Sequence, residues 1–546
     1  MLCFIKQWPL SVLMFICTAC VSPSAPISAT SGLSKPSMLM LSAAGNGRVR
    51  LDWNPVSGAD GQYVFVRESS STASPEPVAK LAADVSHYEF SGLEAGQTYV
   101  FGVQAFRGSQ SSETAWSRSW TVSPNPDSAV ELQLTDIAAT SASALFSYSV
   151  TVREGTLAES GVRVSTNGDP LHSGVFFRNP RGVSREGSVR VSSVSLEYAT
   201  TCQARAYARI GTRYYYSDAR SFTLGEAPAP IVLDWSPVTV SGLPAGISVY
   251  KTTSQLNGRN FNAWYAAADC TGDVEFRVLN PSSTATIESQ AEAAGDCYVL
   301  VNGGIFGTKH IGVIIADGVR QAWRAEVDGS YWGEDGKLYN ITRAGFGVDA
   351  AGHPDACWVS APTAAELYYY DRPMPSVMGE GSLPPASSTW PGAALSRNPK
   401  HFISTGPMVL YQGKYPVDLT PTGTTFAVVD SGGKPTGETK PVYATNYEVW
   451  KSDIFPGPTD NQPHRTAVGY TEEGRIILFI CDGRSTASRG ADLLELGRIM
   501  KGLGCVSAVN FDGGGSTGMW VCGQHLNATA SNSRKVMSTI GFFRKK

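Results

Sequence analysis

Two all-β sandwiches followed by an α+β domain, a mixed sheet with helices, is the fold class this chain predicts, on three observations. Its 546 residues exceed a single hydrophobic core. At ~100–200 residues per domain, that length corresponds to about three or four domains. Short apolar runs separated by Gly, Pro and Ser recur from residue 35 to residue 225, the signature of short strands and turns. Beyond the hinge Gly-Glu-Ala-Pro-Ala-Pro at 225–230, apolar runs are interleaved with two helical stretches. The net charge of -3 provides no basic stripe for nucleic acid. Sparse charge, 17% of residues, with abundant Gly, Ser, Thr and aromatics is a composition common in exported β-rich proteins that act on carbohydrate.

The N-terminus reads as an address. Lys6 precedes the apolar stretch 8–17, which is long enough for a signal-peptide core and too short to span a bilayer. Thr18-Ala19-Cys20 then resembles a bacterial lipoprotein processing site, although Cys17 stands where Leu is usual. Residues 1–19 are thus expected to be a signal peptide, Cys20 the lipidated first residue, and 20–34 a Ser/Pro/Ala tether. The implied location is the bacterial cell envelope, at the outer membrane or periplasmic face, with membrane contact through the lipid.

Residues 35–126 form the first sandwich. Val49 to Trp53 alternates apolar and polar residues as a half-buried strand does, and Val100 to Phe106 does so again. With Leu93 to Tyr99 as a tyrosine corner, the region resembles a fibronectin type III module. A more divergent unit of this fibronectin III/Ig-like kind occupies 127–225, with Cys202 where the corner tyrosine would stand. Neither unit carries an acid pair or a metal-ligand cluster, so spacing or binding is their expected role.

Residues 231–546 make up the last domain, which a chain starting near Ile231 should fold by itself. The better helix is 491–501, where Leu493, Leu496 and Met500 follow the three-and-four spacing of an amphipathic face. A second helix is expected at 283–294.

This domain contains the most informative stretch of the chain, Asn510-Phe511-Asp512-Gly513-Gly514-Gly515-Ser516-Thr517-Gly518. Three glycines inside a fold cost packing and backbone entropy, so they mark special dihedrals or close approach to a ligand. The run follows the β-prone Cys505 to Val509, which presents Asp512 at a strand end. A plain hairpin turn is the competing reading of Asp-Gly-Gly-Gly alone. Two further clusters repeat the arrangement: Val299-Leu300-Val301 runs into Asn302-Gly303-Gly304, and His464-Arg465-Thr466 precedes a strand that ends in Asp482-Gly483-Arg484. In order and spacing these clusters, with Gly406-Pro407, Asn527 and Arg534, resemble the phosphodiester glycosidase family from about Ile231 onward. Ile305 replaces a usual aromatic, and Thr517 a common serine.

The resemblance implies a glycoside hydrolase that cleaves the glycosidic bond of a sugar 1-phosphodiester, an N-acetylglucosamine-1-phosphodiester-like substrate, to free sugar and phosphomonoester. Such a bond has a weakly basic leaving group, so the site needs charge balance at phosphate and an anion at the oxocarbenium-like carbon more than a strong acid. Asp512 is the expected nucleophile or general base, and Asp482 its partner or the anchor of an arginine. Arg465 and Arg484 are the expected phosphate ligands, since a guanidinium fork matches phosphate oxygens. Thr466, Asn302 and the amides of Gly303 and Gly304 would donate to phosphate or sugar, and Gly513, Gly514, Gly515 and Ser516 would form an amide nest.

Against these stand structural uses: an Arg to Asp482 ion pair, Asn302 capping a turn, and His464 in a solvated loop. Trp332, Tyr368, Tyr369, Tyr370 and Trp390 are candidates for stacking on sugar. No cofactor is required by the chemistry, but Asp512, Asp482 and nearby Asn or carbonyl oxygens could hold calcium, although no calcium-loop motif, zinc spacing or nucleotide phosphate loop is present in the sequence. Two other functions fit the same motifs: a glycan-binding lipoprotein without turnover, and a phosphodiesterase that cleaves at phosphorus.

After processing, seven cysteines remain: Cys202, Cys270, Cys297, Cys357, Cys481, Cys505 and Cys522. Cys481 and Cys505 are expected in the core, and Cys270 with Cys297 is the pair expected to bridge.

Overall fold

The structure, a computed structural model, describes residues 33–45, 48–94, 97–122, 129–179, 183–322, 331–332, 338–340, 343–361, 367–372, 376–377, 397–417, 419, 421–429, 435–445, 448–451, 462–527 and 533–546. Cys20, Trp390 and the side chain of Trp332 lie outside these residues. One compact unit comprises the described part of 1–39 with 53–86 and 99–119; the other comprises 40–52, 87–98 and 120–546.

In the first unit, Gly61–Glu68 pairs antiparallel with Thr98–Arg107 from Gly61↔Phe106 to Glu68↔Tyr99. Alternation puts Val64, Phe101, Val103 and Ala105 fully inside. Val49 and Leu51, which belong to the second unit, are buried at alternate positions of strand Arg48–Asn54.

In the second unit, residues 130–223 form two antiparallel sheets. Ser143–Val152 is central to one, and Leu157–Ser165 with Thr201–Ile210 to the other. Phe146 meets Phe222 edge to face at 5.0 Å. Cys202 is buried, and its thiol donates to the Thr200 carbonyl.

This sandwich is bonded to the C-terminal domain rather than joined to it only by the hinge. Lys414 Nζ donates to the Leu196 carbonyl (2.6 Å) and pairs with Glu197 (2.7 Å). The Tyr415 amide donates to the Tyr198 hydroxyl (2.9 Å), and the Tyr415 carbonyl accepts from Ser193 Oγ (2.8 Å). Both backbone groups of the buried Tyr415 therefore depend on the sandwich. A chain beginning at Ile231 loses these bonds, each worth about 1 kcal/mol or more when a buried partner is stranded. Such a chain should melt below the full chain by several degrees in calorimetry; an unchanged melting temperature would show that these bonds add nothing to the stability of the last domain.

The C-terminal domain is mostly β. Its central sheet runs Ser236–Pro237, Ile247–Thr252, Ala263–Ala268, Ile476–Cys481, Arg465–Thr471, Cys505–Asn510, Met408–Leu410. The expected mixed sheet is corrected, because every described pairing in this domain is antiparallel. Helix Leu493–Gly502 does link two parallel strands, Ile476–Cys481 and Cys505–Asn510, but Arg465–Thr471 lies between them, antiparallel to both. The helix starts at Asp492, whose side chain accepts from the Glu495 amide while Glu495 accepts from the Asp492 amide, a full capping box. Leu493, Leu496, Ile499 and Met500 pack on Val409, Ala467, Phe479 and Cys505, covering one sheet face. The shorter helix Ile287–Ala294 is capped by Thr286 and closed by left-handed Gly295.

The domain also contains a five-stranded sheet, Val274–Leu279, Thr539–Arg544, Cys297–Asn302, Met519–Val521, Gln524–His525, a six-stranded one centred on His401–Ser404 and Arg343–Val348, and three smaller sheets of two or three strands. All seven cysteines are free thiols, so the expected Cys270 to Cys297 bridge is not formed; Cys481 and Cys505 are core residues.

Candidate active site

Antiparallel register brings three strand ends together. Arg465 lies opposite Cys481, and Ala467 opposite Asn510, so His464, Asp482 and Asp512 emerge at the same edge of the central sheet. Two strand spacings separate the Asp482 and Asp512 backbones, roughly 10 Å. The Asp512 amide donates to Gly303 O (3.2 Å), which brings the end of Cys297–Asn302 to the same place.

Asp512 is half-buried. Its Oδ1 accepts from the Gly513 amide (2.9 Å), Ser516 hydrogen-bonds its carboxyl, and Arg534 Nε donates in turn to Ser516 Oγ (3.1 Å). Burial pushes the carboxyl up to about 6, against the opposing pull of Ser516, the Gly513 amide and the Arg534 charge. A carboxylate poised near neutrality suits general base or nucleophile chemistry. Asp482 is also raised by burial, opposed by a hydrogen bond with Asn527; its Oδ1 is sealed from solvent and has no hydrogen-bond partner among the described residues.

The glycines are there for close approach. A Cβ on Gly513 would sit 2.5 Å from the His464 carbonyl, and Gly514 has a φ of 58°. Two guanidinium groups follow the run. Arg484 Nη1 would be 3.7 Å from a Gly514 Cβ, and Arg534 Nη1 3.6 Å from a Gly515 Cβ. Arg484 itself sits at φ 54°, uncommon for a residue with a side chain, held there by its amide bond to Gln462 O (2.9 Å). Both arginines are exposed.

Several expected ligands belong to the frame instead. Asn302 is fully buried: its Nδ2 donates to Asp512 O (2.6 Å), and its Oδ1 accepts from Thr466 Oγ1 (2.6 Å) and the Gly518 amide (3.3 Å). Asn302 and Thr466 are therefore a clamp between sheets, with no group turned to a ligand. The Gly303 amide donates to Ser538 O and that of Gly304 to Ser538 Oγ. Arg465 is buried with Nε on Ala491 O (3.0 Å), and burial holds its guanidinium down to about 10, so it is not a surface fork for phosphate.

The amide nest is likewise reduced. Gly513 N binds Asp512, Gly514 N binds His464 O (2.9 Å), and Ser516 N binds Gly513 O; of the three glycine amides, only that of Gly515 makes no hydrogen bond among the described residues. Neither Arg465 nor Arg484 forms an ion pair with Asp482 among the described residues.

Arg534 and His464 are the residues that sequence reasoning undervalued. His464 is half-buried, not in a solvated loop; burial and then the Arg484 charge hold its imidazole below the usual histidine value. The Pro463-His464-Arg465-Thr466 spacing next to a strand was the available signal. Tyr369 and Tyr370 are buried, and Tyr368 is half-buried. Among the described residues, no three His, Cys, Asp or Glu side chains are grouped to hold a metal, and no helix is long and apolar enough to cross a membrane.

Residues 295–543 match the family model described as phosphodiester glycosidase. The chain is 48% identical over 52 residues to mouse N-acetylglucosamine-1-phosphodiester alpha-N-acetylglucosaminidase, and 42% over 52 residues to the human protein, 10% of each chain in both cases. The matched segment thus spans about a tenth of the length of these curated relatives. The zebrafish catalytic domain of that enzyme, auto-inhibited by its pro-peptide, is similar at 18% identity and TM-score 0.34, over 58% of this chain and 89% of that one. The fn3 domain of human collagen alpha-1(XX) is similar at 22% identity and TM-score 0.16, over 18% and 91%.

Proposed function

Taking residues 295–543 as a phosphodiester glycosidase domain, we propose that the chain hydrolyses the sugar carbon to oxygen bond of a sugar 1-phosphodiester, with an N-acetylglucosamine-1-phosphodiester-like substrate, releasing free sugar and a phosphomonoester. The observation that carries this reading is one carboxylate, Asp512, raised to about 6 within a glycine run flanked by two exposed guanidinium groups, Arg484 and Arg534. The arginines neutralise the phosphate and stabilise the charge that develops on it as the bond breaks. Asp512 either attacks the anomeric carbon as the phosphate leaves, with water then hydrolysing the resulting glycosyl ester, or takes the proton of a water that attacks directly; Asp482, with its sealed oxygen, is its partner. Phosphate leaves as a weak base, so little protonation of the leaving group is needed.

Hydrolysis of a synthetic N-acetylglucosamine-1-phosphodiester in heavy-oxygen water tests the proposal. Label in the sugar is the expected result. Label in the phosphate would mean cleavage at phosphorus, and no turnover on a panel of sugar diesters would mean a glycan binder.

The two arginine classes separate kinetically. Arg484→Lys should raise KM for the phosphodiester and lower turnover, because an ammonium cannot copy a two-pronged contact. Arg465→Lys should instead lower the melting temperature, its partner being the buried Ala491 carbonyl. A KM effect confined to Arg465 would return the phosphate to that residue.

We also propose envelope anchoring through Cys20, on the segment 6–20 alone. Cys20→Ser protein should leave the membrane fraction; labelled fatty acid still entering that variant would remove the anchor.

A further inference from the structure

A second cleft opens at the far end of the six-stranded sheet. At the site end, the Thr405 amide donates to Ala344 O, and Thr405 Oγ1 accepts from the Ile305 amide. Four residues further along Arg343–Val348, roughly 13 Å away at strand rise, Val348 lines a cavity of about 360 Å³. That size lies within the about 300–1,000 Å³ of small-molecule sites.

Its floor is aromatic. Tyr369 and Phe402 are buried and meet edge to face at 5.8 Å, with Pro354 and Pro399 beside them. Its rim carries planar polar groups. Asp355 and Arg397 form an ion pair, both partly exposed, and Arg397 Nε has no hydrogen-bond partner among the described residues. On the turn between Arg343–Val348 and Pro354–Ser360, Asp349 Oδ1 accepts from the amides of Ala351 (2.8 Å) and His353 (2.9 Å), and Oδ2 meets His353 Nδ1 (3.1 Å). None of these residues is used by the catalytic edge.

Charge selects the ligand class. Two carboxylates against one guanidinium, with a largely exposed imidazole, leave the cleft neutral to negative, so an anionic ligand meets net repulsion. A pyranose offers what the walls want: an apolar C–H face for the ring and proline surfaces, and hydroxyls that give and take hydrogen bonds at planar carboxylate and guanidinium groups. We propose that this cleft is a second saccharide-binding site, for neutral sugar rings, at the end of the six-stranded sheet away from Thr405 and Ile305. It would hold a glycan away from the scissile bond, and it does not depend on which bond the catalytic edge cleaves.

The test uses the full chain carrying Asp512→Asn, so that binding is read without turnover. Neutral trisaccharides of N-acetylglucosamine, glucose and mannose, and a galacturonic acid trisaccharide, are titrated by calorimetry and saturation-transfer NMR. At least one neutral trisaccharide should bind, more tightly than the anionic one, and Arg397→Ala or Asp355→Asn should weaken it about tenfold. Asn398→Ala, at an exposed lining position, should weaken it without touching the ion pair, which keeps the test sound if the other variants unfold. Binding unchanged in all three variants, preference for the anionic sugar, or no neutral binding would each overturn the proposal. Failure here leaves the hydrolase reading standing, because none of these readouts involves bond cleavage.

Discussion

Asp512→Asn should lower turnover by about 100-fold or more and, at pH 7 to 8, raise the melting temperature. The two effects share one cause. The folded carboxyl is raised to about 6, whereas an unfolded aspartate titrates near ~3.9, so folding favours the protonated form. Its stabilisation is fully present below the unfolded value and is lost as pH rises through about 6; above that, the ionised group opposes folding. Asparagine keeps the size and can still accept from Gly513, but carries no charge to desolvate. The variant should therefore melt higher by roughly 2–4 °C at neutral pH for each kcal/mol relieved, with the gain vanishing toward pH 4. Wild-type kcat/KM should rise with pH and level off above about 6. Near-normal turnover in a folded variant would move the chemistry to Asp482, and a melting difference independent of pH would remove the cost of ionisation at Asp512.

What the sequence disclosed and what it hid divide along a physical line. Asp512 and its glycines were legible because the signal is local: a β-prone run gives a strand, glycines end it, and the next polar side chain is presented there. The helix was legible for the same reason, through the spacing of Leu493, Leu496 and Met500. Direction was not legible. Arg465 and Thr466 sit on a strand buried on both faces, where the usual two-residue alternation carries no information, so their inward orientation left no trace in the sequence. Asn302 reads as a donor beside glycines, and only its contact with Asp512, 210 residues away, reveals a clamp. Arg534 reaches Ser516 from beyond an 18-residue gap, a contact that no periodicity encodes. The mixed sheet failed on register, because a helix between two parallel strands does not say whether a third strand lies between them.

The clamp gives the second large effect. Asn302→Ala should destabilise the fold by roughly 3–5 kcal/mol, since it strands the Gly518 amide and the Asp512 carbonyl in a buried site and leaves the Thr466 hydroxyl only a long contact with Thr517 Oγ1 (3.5 Å), each loss costing about 1–3 kcal/mol and not fully additive. Turnover should fall with it, because Asp512 loses the shorter of the two bonds that fix its backbone. Thr466→Val distinguishes a clamp from a ligand. In the wild-type background it should cost about 1 kcal/mol, as its hydroxyl leaves Asn302 Oδ1 short of a donor. In the Asn302→Ala background it should cost less than that, because the hydroxyl it removes has already lost its short bond and keeps only the long contact with Thr517. Chemical denaturation of the four proteins measures this coupling. If Asn302 instead binds substrate, Asn302→Ala should leave the denaturation midpoint in place and raise KM alone, and the Thr466→Val cost should be the same in both backgrounds.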